Sequence, residues 1–248
     1  MTDYAKESGH WYATDGKPCY SIIGKNGKER NTTLRDARQL GLVPSVTGII
    51  KMAAAPALER WKRNQVLLSA LTLPRKPDEP ETDWLARVEQ DWQEQGRDAA
   101  ARGTAIHGAI ERYYRGDAIS DSNDFWPFVD ASYQVINKAC GGQEWKAERS
   151  FAHILGYGGK TDLHSDDWVI DVKTKDGDLS DVELYDEHKM QLASYRHGLG
   201  VTDARCGILF VNRNVPEARF IEVSADDLER GFVMFKCLLE YWKARNKI

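Results

Sequence analysis

Cysteine is scarce in this sequence, and its spacing rules out the common structural uses. Cys19, Cys140, Cys206 and Cys237 are scattered along 248 residues without a single CxxC pair. That argues against a disulfide framework and against a zinc or iron–sulfur site. No run approaches eighteen consecutive apolar residues, so no membrane span is expected. The opening MTDYAKESGHWY has no apolar h-region, and no signal peptide is expected. These absences together point to a cytoplasmic protein. No internal repeat or low-complexity tract is present. A strong charge of one sign is missing too: the formal net charge of −4 counts against a protein that coats nucleic acid by bulk attraction. It leaves room for a local acidic centre that bound cations neutralise. What is present is ordinary for a soluble globular chain, with 42% hydrophobic and 29% charged residues. The length suits one domain, or a core with a helical appendage.

The chain opens with segments that read as a hairpin, HWYAT and CYSIIG around the turn DGKP, followed by the turn KNGK. TLRDARQLG reads as a short helix stopped by Gly41. PALERWKRNQVLLSAL reads as a helix with Pro56 in its first turn. The Pro-rich stretch Thr72 to Pro80 is the best candidate boundary, dividing a mostly helical N-terminal extension (1–80) from a core (81–248). Residues 82–115 are helical in character, with Gly96 and Gly103 expected to break the run in two. Beyond residue 143, EWKAERSFAHIL, GYGGKTDLHS and DWVIDVKTK read as three strands. VELYDEHKMQLASYRHGLG reads as an amphipathic helix, ARCGILFVNR and ARFIEVS as two more strands, and ADDLERGFVMFKCLLEYWKARNK as a closing helix capped by Ser224 or Asp226. Tight turns imply antiparallel neighbours and a crossover helix implies a parallel one, so the expected class is α/β, a mixed central sheet with helices on both faces.

The chemistry begins in WVIDVKTK. Asp171 and Lys173 are two apart and share one strand face, with Ile170 and Val172 on the other. A carboxylate and an ammonium at the end of a buried strand are costly unless paired or used. Asp162 lies nine residues earlier, and the turn HSDD can close a hairpin that sets the two carboxylates side by side. Such carboxylates resist joint ionisation, and a divalent cation on hard oxygen ligands removes that penalty. Lys173 beside them can orient a water or offset negative charge on a phosphoryl group. Upstream, RGTAIHGAIERYY puts His107 and Glu111 on one helical face; downstream, HKMQLASY does the same for Gln191 and Tyr195. Glu148, on the first core strand, has two readings, a contribution to the site or, the favoured one, a side chain facing solvent.

In order and spacing these pieces resemble the RecB-like branch of the PD-(D/E)XK nuclease superfamily, which includes the Cas4 proteins and mitochondrial genome maintenance exonuclease. The likeness covers about residues 100–200. Gly103 and His107 match its GxxxH helix, Gly159 and Asp162 its GxxD strand, Asp171 and Lys173 with Thr174 its DxK strand, and Gln191 and Tyr195 its QxxxY helix. VPSVTGII followed by PALERWK is similar to the N-terminal part of phage-encoded members. The four cysteines of Cas4 proteins are missing, so no iron–sulfur centre is implied. The resemblance implies a restriction-endonuclease-like core. It also implies Mg²⁺ or Mn²⁺ held by His107, Asp162, Asp171 and the Val172 carbonyl, with Lys173, Gln191 and Tyr195 completing the catalytic set. Ser45, Thr47 and Thr174 are candidates for contacting substrate phosphates. The implied activity is cleavage of DNA phosphodiesters, first as an exonuclease on DNA ends or single strands, with a structure-specific endonuclease as the nearest competitor. Trp61, Trp84 and Trp92 could stack on bases or pack in the core. A recombinase, helicase or single-strand binding protein is a plausible partner. The other classes are a non-catalytic DNA-binding module on the same fold and a hydrolase of small phosphoesters.

Overall fold

The computed structural model describes residues 10–117 and 123–247; residues 1–9, which carried the expectation of no leader, lie outside it. The described chain starts with β1 (Trp11–Tyr12), β2 (Ser21–Ile23), β3 (Glu29–Asn31), α1 (Leu34–Leu40), β4 (Val43–Pro44) and α2 (Val46–Ile50). The hairpin expected between HWYAT and CYSIIG forms as a short antiparallel bridge: Ala13 N–H donates to Lys17 O at 2.9 Å and Cys19 N–H to Trp11 O at 2.8 Å, on either side of the facing residues Tyr12 and Pro18. On its other side β1 pairs with β4, and β2 pairs with β3 across the KNGK turn. Helix α1 forms as expected: Thr33 and Asp36 make a capping box, and Gly41 ends it at φ 65°.

Helix α3 (Pro56–Thr72) and α4 (Glu81–Tyr114) are joined by the Pro-rich connector. Trp84 Nε1 donates to Leu73 O at 2.7 Å, and Arg87 pairs with Glu79 at 2.9 Å, which fastens the connector to α4. Contrary to expectation, α4 is one helix of 34 residues, about 50 Å long. Each glycine costs about 1 kcal/mol of helix propensity, less than the packing of Ile106, Ala109 and Ile110 in the core returns. Helix α5 (Trp126–Cys140) has no counterpart among the expected elements.

The sheet is built from β5 (Lys146–His153), β6 (Tyr157–His164), β7 (Trp168–Lys175), β8 (Arg205–Asn212) and β9 (Ala218–Val223), in that spatial order. Neighbours are antiparallel except β7 and β8, which are parallel and joined by the crossover helix α6 (Asp186–Leu199). The closing helix α7 (Ala225–Asn246) is capped by Ser224, whose hydroxyl accepts from Asp227 N–H. One sheet face buries Val169, Ile208 and Phe210 under α6 and α7, with Phe235 and Leu239 in the same apolar cluster. Trp11, Ala37, Val46 and Ile49 join that cluster from the first fifty residues. The other face buries Ile170, Val172, Leu209 and Val211 against Ile106 and Ile110 of α4 and Phe128 and Ile136 of α5. The architecture is therefore the expected mixed α/β arrangement, a mixed sheet flanked by helices. Among the described residues no helix is long and apolar enough to cross a membrane.

Candidate active site

Strand β7 organises the site by simple alternation. Ile170 and Val172 enter the α4/α5 core, so Val169, Asp171 and Lys173 face α6. On one side β7 is paired with β8 along its whole length, from Trp168 to Lys175. On the other, its ladder with β6 runs for two pairs only, Leu163–Ile170 and His164–Val169. Continuing that register sets Asp162 opposite Asp171, as the HSDD turn implied. Past that point the strands no longer share backbone bonds, and the Asp162 carboxylate takes their place: Val172 N–H donates to Asp162 Oδ2 at 2.7 Å.

Helix α4 reaches the same carboxylate. A Cβ on Gly103 would lie 2.6 Å from Thr174 Oγ1, so the missing side chain lets the helix approach β7. One turn later, His107 Nε2 is 3.0 Å from Asp162 Oδ2. On the α6 side, Lys173 Nζ is 2.6 Å from Asp171 Oδ2 and donates to Gln191 Oε1 at 3.2 Å. Gln191 Nε2 donates to Asp171 Oδ1 at 2.7 Å and to the Tyr195 hydroxyl at 3.0 Å. Both amide hydrogens and the amide oxygen of Gln191 are thereby used. Tyr195 rests against Gly159, where a Cβ would come within 2.8 Å of its ring. Each glycine of the GxxxH and GxxD patterns thus marks a close approach that positions a polar residue.

Burial and charge set the protonation states. Burial alone would lower the His107 pKa, but its bond to Asp162 and the nearby carboxylates push it up to about 9. Burial would raise Asp162, and the His107 bond holds it below the ordinary value. Asp171 is raised by burial and by the charge of Asp162, against the pull of Lys173. Lys173 stays above the usual lysine value despite burial because Asp171 and Asp162 face it. Imidazolium and ammonium groups therefore balance the carboxylates.

Thr174 lines a cleft of about 370 Å³ together with Gly103, Thr104, His107, Val172 and Lys173. Thr47 and Gln191 line a second, larger cleft of about 1050 Å³ between α2, α3, α6 and α7. The Ser45 hydroxyl is engaged as the cap of α2, accepting from Gly48 N–H at 3.0 Å. Trp61 is 44% exposed, Trp84 holds the connector, and Trp92 donates to Glu89 Oε2 at 2.8 Å. Glu111 pairs with Arg115.

Glu148 departs from the favoured expectation. Rather than facing solvent, its carboxylate side chain is only 3% exposed and is ion-paired with Lys160. One ligand atom each from His107, Glu148 and Asp162 lies within 4.8 Å of the others. The sequence signal that marks it is hairpin arithmetic: the β5–β6 pairs Ala147–Leu163 and Arg149–Thr161 put Glu148 across from Asp162.

No family matches the chain by sequence, and no curated protein matches it. Among solved structures, a proposed exonuclease from Eubacterium rectale is similar over 59% of this chain and 68% of its own, at 12% identity and a TM-score of 0.42. The alkaline exonuclease of Laribacter hongkongensis is similar over 57% of this chain and 83% of its own, at 14% identity and a TM-score of 0.31. Likenesses this weak assign neither family nor activity.

Proposed function

We propose that the protein is a metal-dependent deoxyribonuclease of the PD-(D/E)XK type that hydrolyses DNA phosphodiesters, acting as an exonuclease on DNA ends or single strands. The observation that carries this reading is the meeting of two polar groups at the open edge of β7: His107 with Asp162 on one side, and Asp171, Lys173, Gln191 and Tyr195 on the other. An imidazole and carboxylates converging within a few ångströms suit a hard divalent cation. His107, Asp162, Asp171 and the Val172 carbonyl would hold Mg²⁺ or Mn²⁺. When bound, the ion supplies Lewis acidity at the phosphoryl group and neutralises the carboxylates.

The chain's own residues do the rest. The raised pKa of Lys173 keeps it an ammonium, so its part is electrostatic. It positions a water and offsets the charge that develops on phosphorus-bound oxygens. Gln191 fixes both Lys173 and Asp171, so neither has to reorganise when substrate arrives. Tyr195 in turn holds Gln191. Thr174 and Thr47, each on the wall of a cleft, are candidates to contact the DNA backbone, and the half-exposed Trp61 is a candidate to stack on a base. Residues 1–80 would act as the extension and 81–248 as the catalytic part, in a cytoplasmic setting with a recombinase, helicase or single-strand binding protein as partner.

The test is cleavage of end-labelled single- and double-stranded DNA with Mg²⁺, Mn²⁺ or EDTA, beside Lys173→Ala. Metal-dependent shortening from one end, lost in the variant, supports the reading. Internal cuts at junctions or flaps would replace it with a structure-specific endonuclease. Metal-independent DNA binding with no cleavage of any DNA would refute catalysis.

A further inference from the structure

We infer that Glu148 is a further protein ligand of the divalent-cation centre, and that Lys160 stands in for the cation at Glu148 until metal arrives. The inference rests on the metal-dependent reading above and extends its ligand set.

Three independent observations converge on Glu148. Its carboxylate is one of three donors, with His107 and Asp162, whose ligand atoms gather within 4.8 Å. It is almost wholly buried, at 3% side-chain exposure, where an unpaired charge would be intolerable. Its counter-charge, Lys160, is 39% exposed, on a flexible stem that can swing its ammonium into solvent without unfolding anything. A buried acid whose paired cation can retract is what a site needs if it must survive empty and then bind a stronger cation.

The backbone supplies the third observation. Glu148 has φ +56°, a conformation L-residues rarely adopt inside a strand. Among the described residues the other non-glycine positive angles, at Asp78 and Lys247, fall in the connector and at the chain end. The angle has a structural consequence. In a regular strand Ala147 and Phe151 would share a face, yet Ala147 packs with the α4/α5 core and Phe151 with the α6/α7 core. The pairing with β6 runs on either side without an inserted residue, so β5 rotates at Glu148 rather than slipping. That rotation aims Glu148 at Asp162. Glycine or asparagine would adopt this angle with less strain. A glutamate there sacrifices backbone comfort for a carboxylate at that point.

The experiment is Mn²⁺ binding, followed by electron paramagnetic resonance of free Mn²⁺ and by calorimetry on the full chain, with thermal unfolding in EDTA. It compares the unsubstituted protein with Asp162→Asn, Glu148→Gln, Glu148→Gly and Lys160→Met. Glu148→Gln is expected to weaken Mn²⁺ binding about tenfold or more, as loss of one charged oxygen ligand does. Glu148→Gly is expected to weaken it equally while its Tm in EDTA stays level or rises, because glycine accepts the angle freely. Lys160→Met is expected to tighten binding by removing the competitor. Unchanged binding in both Glu148 variants, with binding lost in Asp162→Asn, would overturn the inference and leave the metal reading standing. A fall in Tm in EDTA for both Glu148 variants would assign the residue to the fold instead. Weaker binding in Lys160→Met would overturn the stand-in role. No Mn²⁺ binding by the unsubstituted protein would defeat the underlying reading itself.

Discussion

On the proposed reading, lowering the pH should loosen a bound divalent cation, and the size of the effect follows from His107. Its pKa is pushed up to about 9 in the metal-free protein because Asp162 accepts from it at 3.0 Å. A ligating imidazole must be neutral, so the cation has to displace that proton. At pH 7 the proton is held about two units too tightly, worth about 3 kcal/mol, or roughly a hundredfold in apparent affinity relative to pH above 9. The logarithm of the Mn²⁺ association constant should therefore climb with a slope near one per pH unit from about pH 6.5 to 9, then flatten. The metal-free fold should show the opposite trend. A histidine raised above its unfolded value of about 6.5 contributes stability that is complete below that pH and lost as pH rises through about 9, at most about 3 kcal/mol. Calorimetric titration with Mn²⁺ in buffers of different ionisation enthalpy measures both the affinity and the proton released. In His107→Gln the slope should fall towards zero. An affinity that does not change between pH 6.5 and 8.5 would refute the reasoning.

Gly159→Ala should cost about 2 kcal/mol by overpacking, since the new methyl would lie within 3 Å of the Tyr195 and Phe151 rings, and unfolding should show a Tm lower by several degrees. Cleavage should fall with it, because displacing Tyr195 unseats Gln191; full activity would break that link. Gln191→Leu should lower kcat about tenfold or more with little change in KM, because it unties Lys173 and Asp171 without touching the clefts' other walls. Steady-state kinetics on a short labelled oligonucleotide separates the two constants. Ser45→Ala should cost about 1 kcal/mol as a lost helix cap, read as a lower midpoint in urea.

What the sequence made legible was whatever depended on period and turn. The faces of β7 follow from alternation, because Ile170 and Val172 are apolar where Asp171 and Lys173 are charged. The placing of Asp162 opposite Asp171, one step past the last β6–β7 pair, follows from the length of the HSDD turn. The parallel β7–β8 pair follows from α6 lying between them. Three features were not legible, for physical reasons. The continuity of α4 depends on packing by Ile106, Ala109 and Ile110 that outweighs the local cost of its glycines. The pairing of β1 with β4 joins segments far apart in the chain, and no turn or local period announces it. The left-handed angle at Glu148 contradicts the residue's own preference and is imposed by tertiary structure, so no propensity rule could report it.

The arrangement of charges also bears on why one of the cations is tied down. Three carboxylates, Asp162, Asp171 and Glu148, face three basic groups, His107, Lys173 and Lys160. On the reading developed above, each basic group leaves, or stays, by a different route. His107 loses a proton and becomes a ligand, and Lys160 swings outward on its half-exposed stem. Lys173 is tied instead: its ammonium is held between Asp171 and the amide oxygen of Gln191, and that amide is in turn held by Tyr195. A cation that replaces two of the three counter-charges leaves Lys173 as the positive group free to meet a phosphodiester. A lysine that could retreat as Lys160 can would have to be ordered anew at each encounter, at a cost in side-chain entropy of up to about 2 kcal/mol. The QxxxY pattern on α6 is, in this light, the device that removes that cost, which is why Gln191→Leu is expected to act on kcat rather than on KM.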